Sequence, residues 1–97
     1  NGLQKGRLLV LLGSIDELKF QLKGDLAELL LCNTLSSVIE SLAPKFDQVV
    51  TRKGRVLLSG LLVDEVPRLK VVLASLGWRV VSVSEQDCWA LLEICRT

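Results

Sequence analysis

Two short, largely apolar runs constrain the fold of this chain more than any other feature. They lie at about residues 27–32, where Leu29 to Cys32 is wholly apolar, and at residues 55–59. Apolar runs of this length are typical of strands buried on both faces, as in a parallel sheet. Asn33 follows the first run directly. Because ligands bind at the carboxyl ends of strands in open α/β sheets, Asn33 is the first candidate for a functional residue.

Helical spacing marks the segments between these strands. Apolar residues recur at helical positions over residues 35–42, and Pro44 is expected to end that helix and open a second short helical piece. Residues 52–54 are predicted to form a basic turn and residues 60–63 an apolar loop that needs cover. A further helix is predicted over residues 64–76 and ends at Gly77.

The remaining strands are predicted at residues 7–12, 78–84 and 88–94, with a loop over residues 15–25. The connection between the last two strands is too short for a crossover helix, so these strands are predicted to pair antiparallel. Early strands joined by helices are expected to run parallel. The sequence therefore predicts a mostly parallel α/β sheet with one antiparallel strand near its edge.

Charge and hydropathy argue against two classes of partner. The formal net charge is +1 and the basic residues are scattered, so no direct nucleic-acid contact is expected. No apolar run approaches the roughly 18 residues of a membrane span, so no membrane partner is expected. Apolar residues make up 49% of only 97 residues. That share indicates a sheet covered on both faces, or a surface buried on another molecule.

Cysteine and histidine usage narrows the chemistry. The cysteines, Cys32, Cys88 and Cys95, match no metal or CxxC spacing, and the absence of histidine removes the commonest general base and most zinc sites. Cys32 and Cys88 border or lie in apolar strands and are predicted to be buried free thiols. We therefore expect an intracellular, reducing compartment. The first residue is not Met and no signal pattern follows, so the chain is expected to be mature, processed or excised.

A series of motifs resembles one methyltransferase family. The motifs are Leu31-Cys-Asn-Thr-Leu35, Ser41-Leu-Ala-Pro44, Gly54-Arg-Val-Leu-Leu-Ser-Gly-Leu-Leu62, Leu76-Gly-Trp78, and Trp89 with Arg96. Their order and spacing are similar to the second half of the S-adenosylmethionine-dependent enzymes that methylate large-subunit ribosomal protein eleven. That family reads roughly V-A-N-I-L, E-L-A-P and P-G-G-x-L-I-L-S-G-I-L. The resemblance rests on the whole series in register, since no motif is specific alone.

The resemblance implies the carboxyl-terminal half of a Rossmann-like class I methyltransferase sheet. The family's strand order is 3-2-1-4-5-7-6 with the seventh strand antiparallel, and this chain would supply strands 3 to 7, beginning with residues 7–12 as strand three. The family's glycine-rich loop and ribose-binding acidic residue, which hold the cofactor, have no counterpart here. Residues 1–97 are therefore expected to form a single partial domain that lacks the N-terminal cofactor-loop half.

The same resemblance implies the site. Asn33 matches the asparagine that ends strand four, beside the transferred methyl group and the entering amine, where an amide oxygen can accept a hydrogen bond without adding charge. The resemblance implies a catalytic role for Asn33, no metal, and a cofactor-binding set comprising Asn33, Thr34, Leu35, Ser59 and Gly60. The alternative is that Asn33 only caps the helix that follows.

Two functions follow from these expectations. The first is part of an S-adenosylmethionine-dependent protein (lysine or amine) methyltransferase with a ribosomal protein as substrate. The alternative is a non-catalytic, methyltransferase-derived interaction module in a larger complex. The cofactor is expected to bind only together with the N-terminal half, so the isolated chain is expected to bind none and to be inactive.

The strand at residues 7–12 poses a topological problem. In the family, strands one and two separate strand three from strand four, and neither has a counterpart here. The edge of the strand at residues 27–32 would stand open, which invites pairing. Residues 7–12 can close onto that strand, a second chain can supply the missing strands, or two copies can pair. We expect another protein chain or self-association, because the chain is unusually apolar.

Overall fold

Five strands and two α-helices make up the part of the chain that the computed structural model describes, residues 8–11 and 26–97. Within these ranges neither helix has the length and apolar character needed to cross a membrane. The elements are β1 (Leu8–Leu11), β2 (Ala27–Asn33), α1 (Ser36–Leu42), a 3-10 helix (Ala43–Gln48), β3 (Val50–Leu62), a second 3-10 helix (Val63–Glu65), α2 (Val66–Ser75), β4 (Trp78–Gln86) and β5 (Trp89–Arg96).

The strands form one sheet in the order β1-β2-β3-β5-β4. β1 pairs parallel with β2, and β2 parallel with β3. β5 pairs antiparallel with both β3 and β4, so the predicted antiparallel pair at the end of the chain is confirmed. The register places Asn33 opposite Ser59, which brings the carboxyl end of β2 beside β3.

β1 closes directly onto β2, with Leu8 opposite Leu29 and Leu11 opposite Cys32. The expectation that this edge of β2 stands open is wrong, because β1 forms a parallel ladder along it. Pairing of residues 7–12 with the strand at residues 27–32 was one of the three predicted arrangements, but pairing with another chain was the one expected. Pairing with another chain or a second copy through a different surface stays a prediction. The predicted loop at residues 15–25 lies outside the described residues.

β3 is longer than predicted at its start. The predicted basic turn at residues 52–54 lies within the strand. Val50 is opposite Ala27 but Arg55 is opposite Leu29, so the register shifts between these pairs and β3 carries extra residues there. An irregular ladder of this kind is a bulge, in which the additional residues leave the pairing while the strand continues. The local signals for a turn are therefore accommodated inside a strand.

β3 also extends beyond its predicted end. Residues 60–63 were predicted as an apolar loop, but Leu61 pairs with Ala90 and Leu62 with Trp89 on β5. A second register shift, between Leu58 and Leu61, surrounds Gly60. Of the apolar residues after Gly60, Leu61 is fully buried in the core, whereas Leu62 is 41% exposed.

The core lies on one face of the sheet. Leu30, Leu58 and Leu92 come from three neighbouring strands and are fully buried. They belong to one cluster with residues of α1, α2 and the first 3-10 helix, which are Ile39, Ala43, Phe46, Val66, Leu69 and Leu73. Burying a side chain of leucine size contributes about 1.5–3 kcal/mol. These helices therefore hold the sheet from one side.

Trp78, at the start of β4, closes one end of this core. It is buried, and its ring meets Phe46 edge to face with ring centroids 6.0 Å apart. The guanidinium carbon of Arg96 lies 5.1 Å from the centroid of the Trp78 ring. Arg96 Nη2 also donates to the carbonyl oxygen of Val50 at 2.7 Å. Arg96 therefore joins the end of β5 to the start of β3.

The opposite face of the sheet carries no helix among the described residues. Leu29, Leu31 and Leu57 are half-buried there, and Arg55 forms an ion pair with Glu93 across β3 and β5. These side chains alternate along each strand with those of the core, which places them on the second face. The described part of the chain thus covers one face of its sheet with helices and leaves a second face that carries both half-buried leucines and an ion pair.

The two cysteines that were predicted to be buried differ in the structure. Cys32 lies inside β2 and is buried, and desolvation raises the pKa of its thiol to about 12. Cys88 is exposed, which corrects the prediction. It lies in the turn between β4 and β5, because β5 begins only at Trp89. Asp87 precedes it with φ 55, a left-handed conformation that aspartate adopts more readily than most residues.

The two thiols should differ in reactivity in the folded chain. The thiolate is the nucleophile, so we expect an alkylating reagent at neutral pH to modify Cys88 well before Cys32. Peptide mass spectrometry after timed labelling measures the order, and labelling in denaturant, where both should react alike, is the control. Equal rates in the native chain would contradict the burial of Cys32.

Candidate functional site

The candidate site is the edge of the sheet where β2 ends beside β3. Asn33 is the last residue of β2, lies opposite Ser59, and is exposed. Gly60 follows with φ +79. A Cβ atom at Gly60 would lie 2.5 Å from Oδ1 of Asn33. The side chain of Asn33 therefore lies over Gly60, in space that any other residue type would fill.

Two hydrogen bonds with long donor–acceptor distances join the end of β2 to β3. The backbone N–H of Thr34 donates to the carbonyl oxygen of Ser59 at 3.3 Å. The hydroxyl of Ser59 donates to the carbonyl oxygen of Cys32 at 3.5 Å. The Ser59 side chain is thus directed toward the neighbouring strand, and its contribution to the site is the placement of the backbone.

The structure brings four of the five predicted site residues into mutual contact, namely Asn33, Thr34, Ser59 and Gly60. The fifth, Leu35, is next in the same loop and is 67% exposed. Leu35 is also the residue that caps α1, with extended backbone and no side-chain cap hydrogen bond. The alternative role of Asn33 as a helix cap is therefore wrong, because Asn33 still belongs to β2.

The predicted site residues did not include Glu65, whose carboxylate lies close to the site. Oε1 of Glu65 accepts from the backbone N–H of Leu62 at 2.9 Å, and Oε2 accepts from the hydroxyl of Ser36 at 2.7 Å. The bond from Leu62 and then that from Ser36 hold the pKa of Glu65 below its ordinary value of 4.5. The spacing from Leu62 to Glu65 is that of a capping box and could have indicated the first bond. The bond to Ser36 spans 29 residues of sequence and has no local signal.

A shallow groove between α1 and α2 adjoins this carboxylate. Arg68 of α2 crosses it to contact Glu40 of α1, with Nε 3.1 Å from Oε2 and Nη2 3.3 Å from Oε1. The groove is lined by Ser36, Ser37, Glu40, Ser41, Asp64, Glu65 and Arg68. Within the described ranges, no cluster of His, Cys, Asp and Glu side chains is suited to a metal ion.

Chemically, this edge offers a neutral acceptor. Oδ1 of Asn33 can accept a hydrogen bond from an amine or lie beside a positively charged group without introducing a full negative charge. Backbone groups of two adjacent strands surround it. Such an arrangement can orient a small polar group at the carboxyl ends of β2 and β3.

Two solved structures with a similar fold carry the names of methyltransferases. The chain matches the ribosomal protein L11 methylase of Lactobacillus delbrueckii subsp. bulgaricus with a TM-score of 0.69 and 24% identity, over 72% of this chain and 36% of that one. It matches the mitomycin 7-O-methyltransferase MmcR with a TM-score of 0.59 and 12% identity, over 81% of this chain and 32% of that one. The fold is therefore an α/β fold of the kind found in these enzymes.

Sequence comparison identifies the family. The family model described as ribosomal protein L11 methyltransferase (PrmA) matches residues 1–97, and the chain belongs to this family. The ribosomal protein L11 methyltransferase of Prochlorococcus marinus (strain MIT 9303) is 54% identical over 96 residues, which are 99% of this chain and 32% of that protein. The chain thus spans about a third of the length of this curated relative.

The contact between Asn33 and Gly60 can be tested with a matched pair of substitutions. Gly60 and Gly77 both have positive φ, but nothing lies within 4 Å of a Cβ at Gly77. We expect Gly60→Ala and Gly77→Ala each to lower the free energy of unfolding by about 1–2 kcal/mol, from backbone strain. Only Gly60→Ala should displace the Asn33 side chain.

Chemical denaturation measures the first effect, and the NMR signals of the Asn33 side-chain amide report the second. A shift of those signals in Gly77→Ala of the same size as in Gly60→Ala would contradict a specific contact.

Proposed function

We propose that this chain forms the carboxyl-terminal half of the catalytic domain of an S-adenosylmethionine-dependent protein methyltransferase. Membership of the ribosomal protein L11 methyltransferase family supports the activity. The order β2-β3-β5-β4, with β5 antiparallel, supports the assignment of these strands as strands four, five, seven and six of the resembled fold. No observation on residues 8–11 and 26–97 favours the non-catalytic alternative.

β1 departs from this assignment. In the resembled fold strand three does not touch strand four, whereas β1 pairs directly with β2. β1 therefore occupies the position beside β2 that strand one has in the family. The match of residues 7–12 to strand three rests on the sequence resemblance and has no support from the observed pairing.

The observation that carries the proposal is the side chain of Asn33 lying over Gly60 at the carboxyl end of β2. Ligands of open α/β sheets bind at this kind of edge. The space beside Gly60 holds Oδ1 of Asn33, and the backbone N and O of Thr34 border the same space. This favours Asn33 as the residue that contacts the reacting groups, with Gly60 providing the room.

The proposed role of Asn33 is to orient the amine. S-adenosylmethionine supplies an electrophilic methyl group when it is bound. A lysine amine must lose a proton to attack, since its ordinary pKa is about 10.4. With the cofactor bound, Oδ1 of Asn33 would accept a hydrogen bond from one of the remaining N–H groups of the amine and so orient the lone pair of the nitrogen for attack. Positioning of this kind supplies a large part of the rate in group-transfer reactions.

The remaining predicted site residues have supporting roles in this proposal. Leu35, 67% exposed beside Asn33, provides an apolar contact for the cofactor or substrate. Thr34 and Ser59 hold the two strand ends together through the hydrogen bond between their backbones. The proposed acceptor is a lysine or other amine of a ribosomal protein, in keeping with the names of the relatives. An intracellular, reducing compartment fits the three free cysteines.

Asn33→Ala should lower the rate of methyl transfer by about 100-fold, because it removes the group that aligns the amine. The measurement uses a chimera in which this chain replaces the 96 matched residues of the Prochlorococcus marinus relative. Methyl transfer from labelled S-adenosylmethionine to ribosomal protein L11 is followed. The unmodified relative is the positive control, and circular dichroism checks the fold of each variant. Normal turnover by a folded Asn33→Ala chimera would refute the role of Asn33.

The chain on its own should bind S-adenosylmethionine weakly. Its predicted contacts lie on the edge of β2 and β3, whereas the family's glycine-rich loop and ribose-binding acid have no counterpart in the sequence. Isothermal titration calorimetry of the chain beside the chimera measures the difference. Binding of similar strength by both would contradict the view that the cofactor needs the preceding half.

A further inference from the structure

We propose that Glu65 is a positioning residue of this site, whose carboxylate joins the loop after β2 to the end of β3 and so holds Asn33 over Gly60. The inference rests on the proposed function, because the placement of Asn33 matters for catalysis only if Asn33 contacts the reacting groups. Neither the family resemblance nor the sequence motifs singled out Glu65.

Two hydrogen bonds converge on Glu65 from the two segments that carry the site. Ser36 donates from the first turn of α1, directly after the two-residue loop that follows Asn33. Leu62 donates from its backbone at the end of β3, just beyond Gly60. The donor–acceptor distances are 2.7 Å and 2.9 Å. One carboxylate is therefore bonded to both segments at once.

Two other hydrogen bonds near these strand ends, outside the β2–β3 ladder, are longer. The bond from Thr34 to Ser59 measures 3.3 Å, and that from the Ser59 hydroxyl to Cys32 measures 3.5 Å. Hydrogen bonds at these lengths are at or beyond the ordinary range for proteins. Bonds to an ionised carboxylate are roughly twice as strong as neutral ones. The two bonds to Glu65 are thus the strongest described side-chain ties between the loop after β2 and the end of β3.

Ser36 has a particular need for this acceptor. It is the one buried polar residue in the part of the chain that the structure describes, at 9% exposure. A buried hydroxyl that loses its partner is unfavourable, so removal of Glu65 should drive a rearrangement around Ser36. Because Asn33 ends β2 only three residues before Ser36, the rearrangement should reach its side chain.

The nearby basic side chain of Arg68 pairs with Glu40, so the carboxylate of Glu65 is left to bond Ser36 and Leu62. Arg68, which lines the same groove, forms its paired contact with Glu40, and Asp64 adjoins Glu65 in the second 3-10 helix. The hydrogen bonds from Leu62 and Ser36 lower the pKa of Glu65, which favours the carboxylate at neutral pH. Glu40 is therefore a matched control: it lines the groove and joins α1 to α2, but contacts neither strand end.

The test compares Glu65→Ala, Glu65→Gln and Glu40→Ala in the chimera. Glu65→Ala should lower kcat about 10- to 100-fold, because the amine acceptor is misplaced. Glu65→Gln should restore most of kcat, since its amide can accept from Leu62 and donate to the hydroxyl of Ser36. Glu40→Ala should leave kcat within about twofold, as expected for an exposed ion pair. In the chain, the Asn33 side-chain amide signals should move only in Glu65→Ala.

The outcomes separate the two proposals. An inactive unmodified chimera beside an active relative would count against the proposed function, and the Asn33 signals of Glu65→Ala would still decide the positioning role. Unchanged kcat and unchanged Asn33 signals in folded Glu65→Ala, or an equal loss in Glu40→Ala, would overturn the role of Glu65. If Glu65→Ala does not fold, Ser36→Ala, which removes one of the two bonds, takes its place with the same readouts and a smaller expected loss.

Discussion

The parallel pairing of β2 with β3 is the constraint on which the rest of the structure depends. It runs in register from Leu29 opposite Arg55 to Asn33 opposite Ser59. A slip of one residue would turn every side chain of a strand to the other face. Leu30 and Cys32 would then leave the core, and Asn33 would no longer lie over Gly60. The core and the candidate site therefore depend on the same register.

The strands that could be predicted are those whose signal is local. The continuous apolar runs predicted β2 and the middle of β3, and the short connection near Asp87 predicted the final antiparallel pair. The full extent of β3 could not be predicted. Its ends carry Gly54 and Gly60, which are turn signals by sequence, yet pairing with β2 and β5 keeps both in the strand. Contacts distant in sequence overrode the local preference.

The candidate site likewise has features that could be predicted from the sequence and features that could not. Its location at the end of β2 followed from the rule for open α/β sheets, and Asn33 could be chosen from its place in the sequence. The contact that gives Asn33 its orientation could not, because it depends on the positive φ of Gly60. The helix-cap alternative failed because α1 begins at Ser36, after an extended Leu35. The bond from Ser36 to Glu65 joins segments that only the folded sheet brings together.

Glu65, between β3 and α2, takes part in both a local and a long-range hydrogen bond. The carboxylate bonds locally to Leu62, as at the start of many helices, and at a distance to Ser36. One oxygen of Glu65 accepts a hydrogen bond from the residue that precedes its own helical turn, and the other accepts one from the first turn of α1. Glu65 therefore takes part in local and in tertiary structure. A substitution there affects both at once, so its effects on stability and on the site are expected to be non-additive with those of Ser36.

The placement of β5 between β3 and β4 has a consequence for the order in which the chain can assemble. β4 is made before β5 along the chain, yet among the described strands its only neighbour is β5. Pairs such as Arg55 with Cys95 also join distant parts of the sequence. Such long-range pairings form slowly, because much of the chain must be ordered before they are made. We therefore expect the hairpin of β4 and β5 to add to the sheet as a unit, and the edge of β3 to stay exposed until it does.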